Sequence, residues 1–246
     1  MSEDIINKLQ NELGGKDAVD VLKAAALKYQ DKIVFASSLG AEDQVITYLI
    51  AEHNIDIPIF TLDTGRLFNE SYDLIADTEK KYDVKIQTFF PEREDVESMV
   101  AEKGVNLFYE SIENRKQCCK VRKMVPLGRA LAPNDAWVCG LRKDQSVTRE
   151  GMGVAEWDGN HGMVKFNPLI DWSEQDVWDF IKKNNIPYNK LHDEGFLSIG
   201  CASCTRAVQP GEDVRAGRWW WESPEQKECG LHFVDGKMVR TKDLKK

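Results

Sequence analysis

The 246-residue chain contains no run approaching 18 apolar residues, so no membrane-spanning helix is expected. Its first residues, Met1-Ser2-Glu3-Asp4, show neither the basic nor the apolar region of a secretory signal, and a cytoplasmic location is expected. Positive charge is in deficit. Lys and Arg total 33 against 41 Asp and Glu, for a formal net charge of −8. That balance argues against nucleic acid as a partner, while leaving room for a local basic pocket. Histidine is scarce, at 4 residues; His53, His161 and His192 have no partner legible in the sequence and read as structural or surface groups. No internal repeat or low-complexity tract is present. Cysteine is scarce as well, at 6 residues. In a reducing compartment, clustering of so few thiols points to metal binding or catalysis ahead of disulfides.

Hydrophobic spacing supplies the architecture. Residues 4–13 and 16–29 read as helices broken at Gly14-Gly15, and Ile33-Val34-Phe35-Ala36 reads as a buried strand. Ser37-Ser38-Leu39-Gly40-Ala41-Glu42-Asp43 follows, then a helical pattern from Val45 to Ala51. Strand, small-residue loop and helix together aim backbone N–H groups at an anion. With no Lys-Ser/Thr ending the loop is not a Walker-type P-loop, and an ordinary βα turn is the competing reading. Further strands are expected at 57–62, 84–90, 136–141 and 163–166, and helices at about 69–82, 92–103 and 107–124, the last bounded by Pro126. Ser173 is placed to cap another helix. Regular pattern fades after Asn184. The repeated βα units predict an α/β fold with a doubly wound, mainly parallel sheet, with ligands at the carboxyl ends of the strands. A single domain is expected over 1–232, with N-terminal helices in 1–30, followed by a polar, mobile tail at 233–246.

The thiols fall into two tight groups, Cys118-Cys119 and Cys201-x-x-Cys204. Four thiolates can close one metal site. Neighbouring side chains on a helix point about 100° apart, so adjacent ligands require an irregular backbone or different atoms of one cluster. Spacing alone leaves both iron–sulfur and zinc open. Arg122 and Lys123 follow the two cysteines at four-residue spacing, where a cation would stabilise an anionic centre; a solvated helix face is the alternative. Cys229 is single, with Lys227 and His232 nearby. It reads either as an activated nucleophile or as a stray surface thiol. Cys139 lies in an apolar strand and reads as a small buried hydrophobe. Arg149, Arg215 and Arg218 fall in loops that could converge on an oxyanion. Trp219-Trp220-Trp221 reads as packing under a loop, with a stacking surface as the alternative.

Taken jointly, Gly40-Ala41-Glu42-Asp43, Leu62-Asp63-Thr64-Gly65-Arg66, Cys118-Cys119 with Arg122-Lys123, Gly200-Cys201 through Cys204-Thr205-Arg206, Gly217-Arg218-Trp219-Trp220-Trp221 and Lys227-Glu228-Cys229-Gly230-Leu231-His232 resemble the assimilatory adenylyl-sulfate (APS) reductases. These are the iron–sulfur branch of the APS/PAPS reductase family, and the resemblance covers about residues 30–232. It implies an adenine-nucleotide-hydrolase-like fold with a catalytic tail at 206–232. It implies a [4Fe-4S] cluster on Cys118, Cys119, Cys201 and Cys204, and Cys229 as the nucleophile that becomes an S-sulfocysteine. Thioredoxin or a glutaredoxin-like thiol donor would then release sulfite. Substrate would be held by Ser37, Ser38, Gly40, Asp43, Leu62, Gly65, Lys123, Gly140, Arg149, Arg215, Arg218 and His232, in a chain that could form a homo-oligomer. One departure bears on specificity. The first loop reads Ser37-Ser38-Leu39-Gly40, where many APS reductases carry a hydroxyl at the position of Leu39, so PAPS or dual use stays open. Two other readings compete. A zinc-stabilised binding module would be colourless and tolerate loss of Cys229. An adenylating enzyme would need paired glycines that the 37–43 loop lacks.

Overall fold

The computed structural model describes residues 2–145 and 151–223, together with the backbone of residues 233–234 and 237–238. The apolar runs become β1 (Ile33–Ser37), β2 (Ile59–Leu62), β3 (Ile86–Phe89), β4 (Ala136–Val138), β5 (Ala155–Asp158) and β6 (Met163–Phe166). They form one sheet in the order β3-β2-β1-β4-β6-β5. All neighbours are parallel except β5, which runs antiparallel to β6.

Alternation along the central strands explains why helices are needed on both faces. Ile33 and Phe35 of β1 and Ala136 and Val138 of β4 enter one core. It is shared with α1 (Ser2–Leu13), α2 (Ala18–Tyr29), α3 (Ala41–Glu52) and α8 (Glu174–Asn184). Val34 and Trp137 point the other way, to a second core with Leu127, Ala130 and Leu131 of α7 (Val125–Leu131). Two-sided burial is what near-continuous apolar strands require. The remaining helices are α4 (Asn69–Tyr82), α5 (Arg93–Lys103) and α6 (Ile112–Cys119). Asp17 caps α2 by accepting from the Asp20 N–H, and Ser173 with Asp176 forms a reciprocal capping box on α8. From β1 the chain proceeds to β2 and β3 on one side and returns to β4 on the other. The β1/β4 boundary is therefore the switch point where open α/β sheets bind ligands.

Two differences from expectation have physical causes. Strand β5 was not foreseen. Its sequence, Ala-Glu-Trp-Asp, is half acidic, and it is held at the sheet edge by the turn to β6, in which the Asp158 carboxylate accepts from the Asn160 and His161 N–H groups. The same carboxylate pairs with His161 Nδ1 at 2.7 Å, giving that histidine a partner four-residue patterns do not reveal. The expected helix at 107–124 is a 3-10 turn (Leu107–Tyr109), α6, and then a π-helical segment (Lys120–Met124) that passes directly into α7. Pro126 is not its boundary but lies in the first turn of α7. Proline cannot donate to the preceding turn, and the local register widens: the Val125 N–H bonds to Lys120 O, five residues back. Residues 233–234 and 237–238 pair as a two-stranded antiparallel ladder; the rest of the tail expected to be mobile, and the end of the expected catalytic tail from 224 to 232, lie outside the described residues.

Candidate functional site

The crevice at the carboxyl ends of β1 and β4 is built mainly from the chain just after each strand. Asp43, in the first turn of α3, is 5 % exposed. Its carboxylate accepts from the Ser38 N–H and hydroxyl, both at 2.6 Å, and from the Gly140 N–H after β4. Burial raises its pKa from 3.8 to about 6, against the lowering effect of these donors. Gly140 is required here, because a side-chain carbon would overlap Asp43 Oδ1 and lie 2.9 Å from Glu42 Cβ. Ser37 Oγ accepts from the Leu39 N–H at 3.2 Å, and Leu39 is buried at a positive φ of 64°. Gly40 occupies the N-cap of α3 without a side-chain cap, leaving the helix N-terminus to face the crevice with its own amide donors. Arg142 ties the two loops together through Glu42, at 2.8 Å, with its own side chain buried.

The turn after β2 links this crevice to the cysteines. Leu62 ends β2. Asp63 is buried and accepts from the Gly65 N–H at 2.7 Å and the Tyr72 hydroxyl at 2.9 Å. Gly65 adopts φ 70°, a conformation natural to glycine. Arg122 Nη1 donates to Thr64 O at 2.7 Å, the Ala202 N–H donates to Arg66 O at 2.8 Å, and Thr64 Oγ1 lies 3.2 Å from Cys201 Sγ.

Beyond the turn, Cys118, Cys119, Cys201 and Cys204 line a single cavity of about 50 Å³, together with Arg66, Arg115, Arg122, Lys123 and Arg218. Cys118 and Cys119 are the last two residues of α6, and the π-helical segment begins immediately after them. Cys118 and Cys204 are buried; Cys119 and Cys201 are half-buried. Burial pushes the Cys204 thiol up to about 12, with Cys201 beside it adding to the rise. Burial also raises Cys118, opposed by the Arg122 guanidinium. Arg66, Arg122 and Arg218 each bury their Nε with no partner among the described residues. An unmatched buried donor costs roughly 1–3 kcal/mol, so three around one cavity fit an acceptor of high negative charge. A four-thiolate centre is such an acceptor. Among the described residues no group of three or more His, Cys, Asp or Glu gathers as a single ion would require. The four thiols and the cations around them are the residue types that a thiolate-held metal centre uses.

Known proteins bear on this arrangement. A family model described as phosphoadenosine phosphosulfate reductase domain matches residues 32–207. The chain belongs to that family. Within the phosphoadenosine phosphosulfate reductase domain family, it is 54 % identical over 202 residues to the adenosine 5'-phosphosulfate reductase of Allochromatium vinosum, covering 82 % of this chain and 79 % of that one. It is 49 % identical over 235 residues to the adenosine 5'-phosphosulfate reductase of Burkholderia cepacia, covering 95 % and 94 % respectively. Among solved structures it superposes on phosphoadenylyl-sulfate (PAPS) reductase from Candida auris with a TM-score of 0.72 at 26 % identity, covering 85 % of this chain and 98 % of that one. Yeast FAD synthetase, at 16 % identity and a TM-score of 0.52, with 84 % of this chain and 75 % of that chain covered, shares the fold alone. The family and the doubly wound, mainly parallel α/β sheet thus agree with expectation.

Of the residues singled out in the sequence, Ser37, Ser38, Gly40, Asp43 and Gly140 meet at the crevice. Leu62 and Gly65 belong to the linking turn, and Lys123, Arg218 and the four cysteines meet at the cavity. Arg215 lies in the turn preceding Arg218, whose N–H donates to Arg215 O, and is not among the cavity-lining residues. Arg149, Cys229 and His232 lie outside the described residues. Cys139 is buried as expected, but its Sγ also lies 3.2 Å from Asn167 Oδ1. The three tryptophans divide: Trp219 is buried, Trp220 is exposed and Trp221 half-buried. Sequence reasoning missed Thr64 as a thiol neighbour and missed Arg115 and Glu222 entirely. Nothing in their local pattern marks them, because their partners are 137 and 107 residues away.

Proposed function

We propose that the chain reduces adenosine 5'-phosphosulfate to sulfite and AMP with electrons from a dithiol, in sulfate assimilation. The observation that carries this reading is the joining of two elements by one turn: a switch-point crevice of nucleotide-binding type, and a cavity where four thiols meet four arginines and a lysine. The two relatives described above bear the name adenosine 5'-phosphosulfate reductase, which supports the choice of substrate.

In this reading the adenosine part lies against Ser37–Asp43, Leu62–Gly65 and Gly140, and the phosphosulfate extends toward Lys123, Arg215 and Arg218, with Arg149 and His232 assigned from sequence. The Cys229 thiolate attacks the sulfur of the phosphosulfate. An S–S bond forms, the S–O bond to phosphate breaks, and AMP leaves with the electron pair. One thiol of a thioredoxin-like donor then attacks the Cys229 sulfur, expelling sulfite. The second donor thiol displaces Cys229, and the donor ends as a disulfide. The donor supplies both electrons. Negative charge develops on the AMP phosphate during attack, so cations aimed there lower the barrier. The same cations favour the Cys229 thiolate beside an anionic substrate. Cys118, Cys119, Cys201 and Cys204 would hold a [4Fe-4S] cluster, which when bound supplies a fixed anionic centre against which Lys123 and the arginines are oriented. A reducing cytoplasm suits such thiol chemistry.

The buried apolar Leu39 keeps PAPS in view as a second substrate. The test is sulfite release from APS and from PAPS with reduced thioredoxin. APS turnover that Cys229→Ser abolishes is the expected result. Sulfite from PAPS alone overturns the substrate assignment, and full activity of Cys229→Ser overturns the mechanism.

A further inference from the structure

The reaction proposed above makes no use of the most deeply buried ion pair described. Arg115 and Glu222 have side chains only 2 % and 3 % exposed. Arg115 Nε and Nη2 donate to the two carboxylate oxygens of Glu222 at 2.9 and 2.8 Å, a two-pronged contact. A buried ion pair adds little stability over an apolar pair of the same volume, because desolvation offsets most of the attraction. Its contacts point to another role. The Arg115 guanidinium lies 4.6 Å from the centre of the Trp219 ring. Glu222 reaches the same residue through its backbone, its N–H donating to Trp219 O at 2.8 Å. Trp219 is buried and holds φ 41°, unusual for a bulky residue. Its own N–H donates to Cys204 O at 3.0 Å. Trp219 is therefore held by Arg115, by Glu222 and by the chain at Cys204.

The ring so held carries Arg218. The Arg218 guanidinium lies 4.9 Å from the centre of the Trp219 ring, a cation–π contact. It lines the thiol cavity, and its charge opposes the rise of the Cys204 thiol. Gly200 leaves room for it, since a side-chain carbon there would overlap the guanidinium. Its other bond among the described residues is a long one, from Nη1 to Ile199 O at 3.3 Å, and its Nε is buried without a partner there. The Trp219 face is thus its main support. We propose that Arg115 and Glu222 are positioning residues for Arg218: acting through Trp219, they fix the Arg218 guanidinium at the thiol cavity, where it helps to retain an anionic metal centre. This rests on the reading of that cavity as a thiolate-held metal site.

The test is a double-mutant cycle on metal retention. Protein purified without oxygen is mixed with excess EDTA, and bound metal is followed over time by elemental analysis after desalting. Arg218→Met is expected to speed metal loss on the order of 10-fold, and Glu222→Gln to do the same when Arg218 is present. In the Arg218→Met background, Glu222→Gln is expected to add nothing, because the residue it acts through is gone. A merely structural pair loosens the fold whether or not Arg218 is there, so Glu222→Gln would speed loss by the same factor in both backgrounds. That additive result overturns the proposal. Metal loss unchanged in Arg218→Met or in Glu222→Gln overturns it too. If Glu222→Gln does not fold, Arg115→Lys takes its place in the cycle, since it keeps the charge but loses the two-pronged contact; an additive or absent effect there is equally contrary. Wild-type protein that holds no metal contradicts the thiolate-held site and takes this inference with it, whereas additive effects in metal-loaded protein contradict the inference alone.

Discussion

The crevice at β1 and β4 and the thiol cavity stand on either side of residues 63–66, and they are assembled on different plans. In the crevice, Ser38, Asp43 and Gly140 satisfy one another through backbone and short side chains within a few residues of a strand end. In the cavity, thiols come from α6 and from residues 201–204, and cations come from four separate stretches of chain. Three of the guanidinium Nε atoms there have no partner among the described residues. The polar groups of the first site are paired among themselves. The second is rich in cations and donors that only an anionic occupant would balance.

The largest effect expected from this contrast is at the cavity. Cys204→Ser removes one of the two buried thiols. It is expected to abolish sulfite formation and to lower the melting temperature, since metal binding to a folded site is also folding free energy. A melting temperature equal to wild type, measured on protein purified without oxygen, would mean that nothing bound there supports the fold. The crevice is expected to respond to shape instead. Gly140→Ala drives a methyl into Asp43 Oδ1, and overpacking of this kind costs about 1–3 kcal/mol. APS affinity should fall about tenfold with iron content intact. Loss of iron in this variant would erase the distinction between the two sites.

Smaller effects sharpen the contrast further. Asp43 has its pKa raised from 3.8 to about 6 by burial. A raised pKa in the folded state means that the protonated form favours folding. Its stabilising contribution is complete below pH 3.8 and is lost as pH rises through about 6. The stability of wild type relative to Asp43→Asn is therefore expected to fall across that window, by up to about 3 kcal/mol, and then to level off. Denaturant unfolding at a series of pH values reads this directly; a constant difference would show that Asp43 does not titrate as a buried group. Smallest is Thr64→Val, which deletes the hydroxyl 3.2 Å from Cys201 Sγ. A cost of about 0.5–1.5 kcal/mol in stability is expected, together with a shifted visible absorption of the metal centre. No spectral change would place Thr64 outside the influence of that centre.

The two plans also explain what could be read in advance. β1, the 37–43 loop and the turn at 63–66 were legible because strand, turn and helix N-terminus are local patterns. The double cysteine and the Cys-x-x-Cys were legible as two groups of thiols because residue type is itself the signal, and the structure brings them to one cavity. The π-helical turn that follows the double cysteine was not, since Pro126 reads locally as an end and only the packing of α7 carries the helix past it. β5 was hidden by its acidic residues. Arg115 and Glu222 were hidden for a different reason: each is an ordinary charged residue until the fold brings together positions 107 residues apart.

The most direct test of the contrast is the metal and sulfide content of the protein purified without oxygen. Iron and acid-labile sulfide in equal amounts, about four of each per chain, with brown colour lost in Cys204→Ser, is the predicted result. Stoichiometric zinc, or full APS turnover by protein containing no metal, would contradict it.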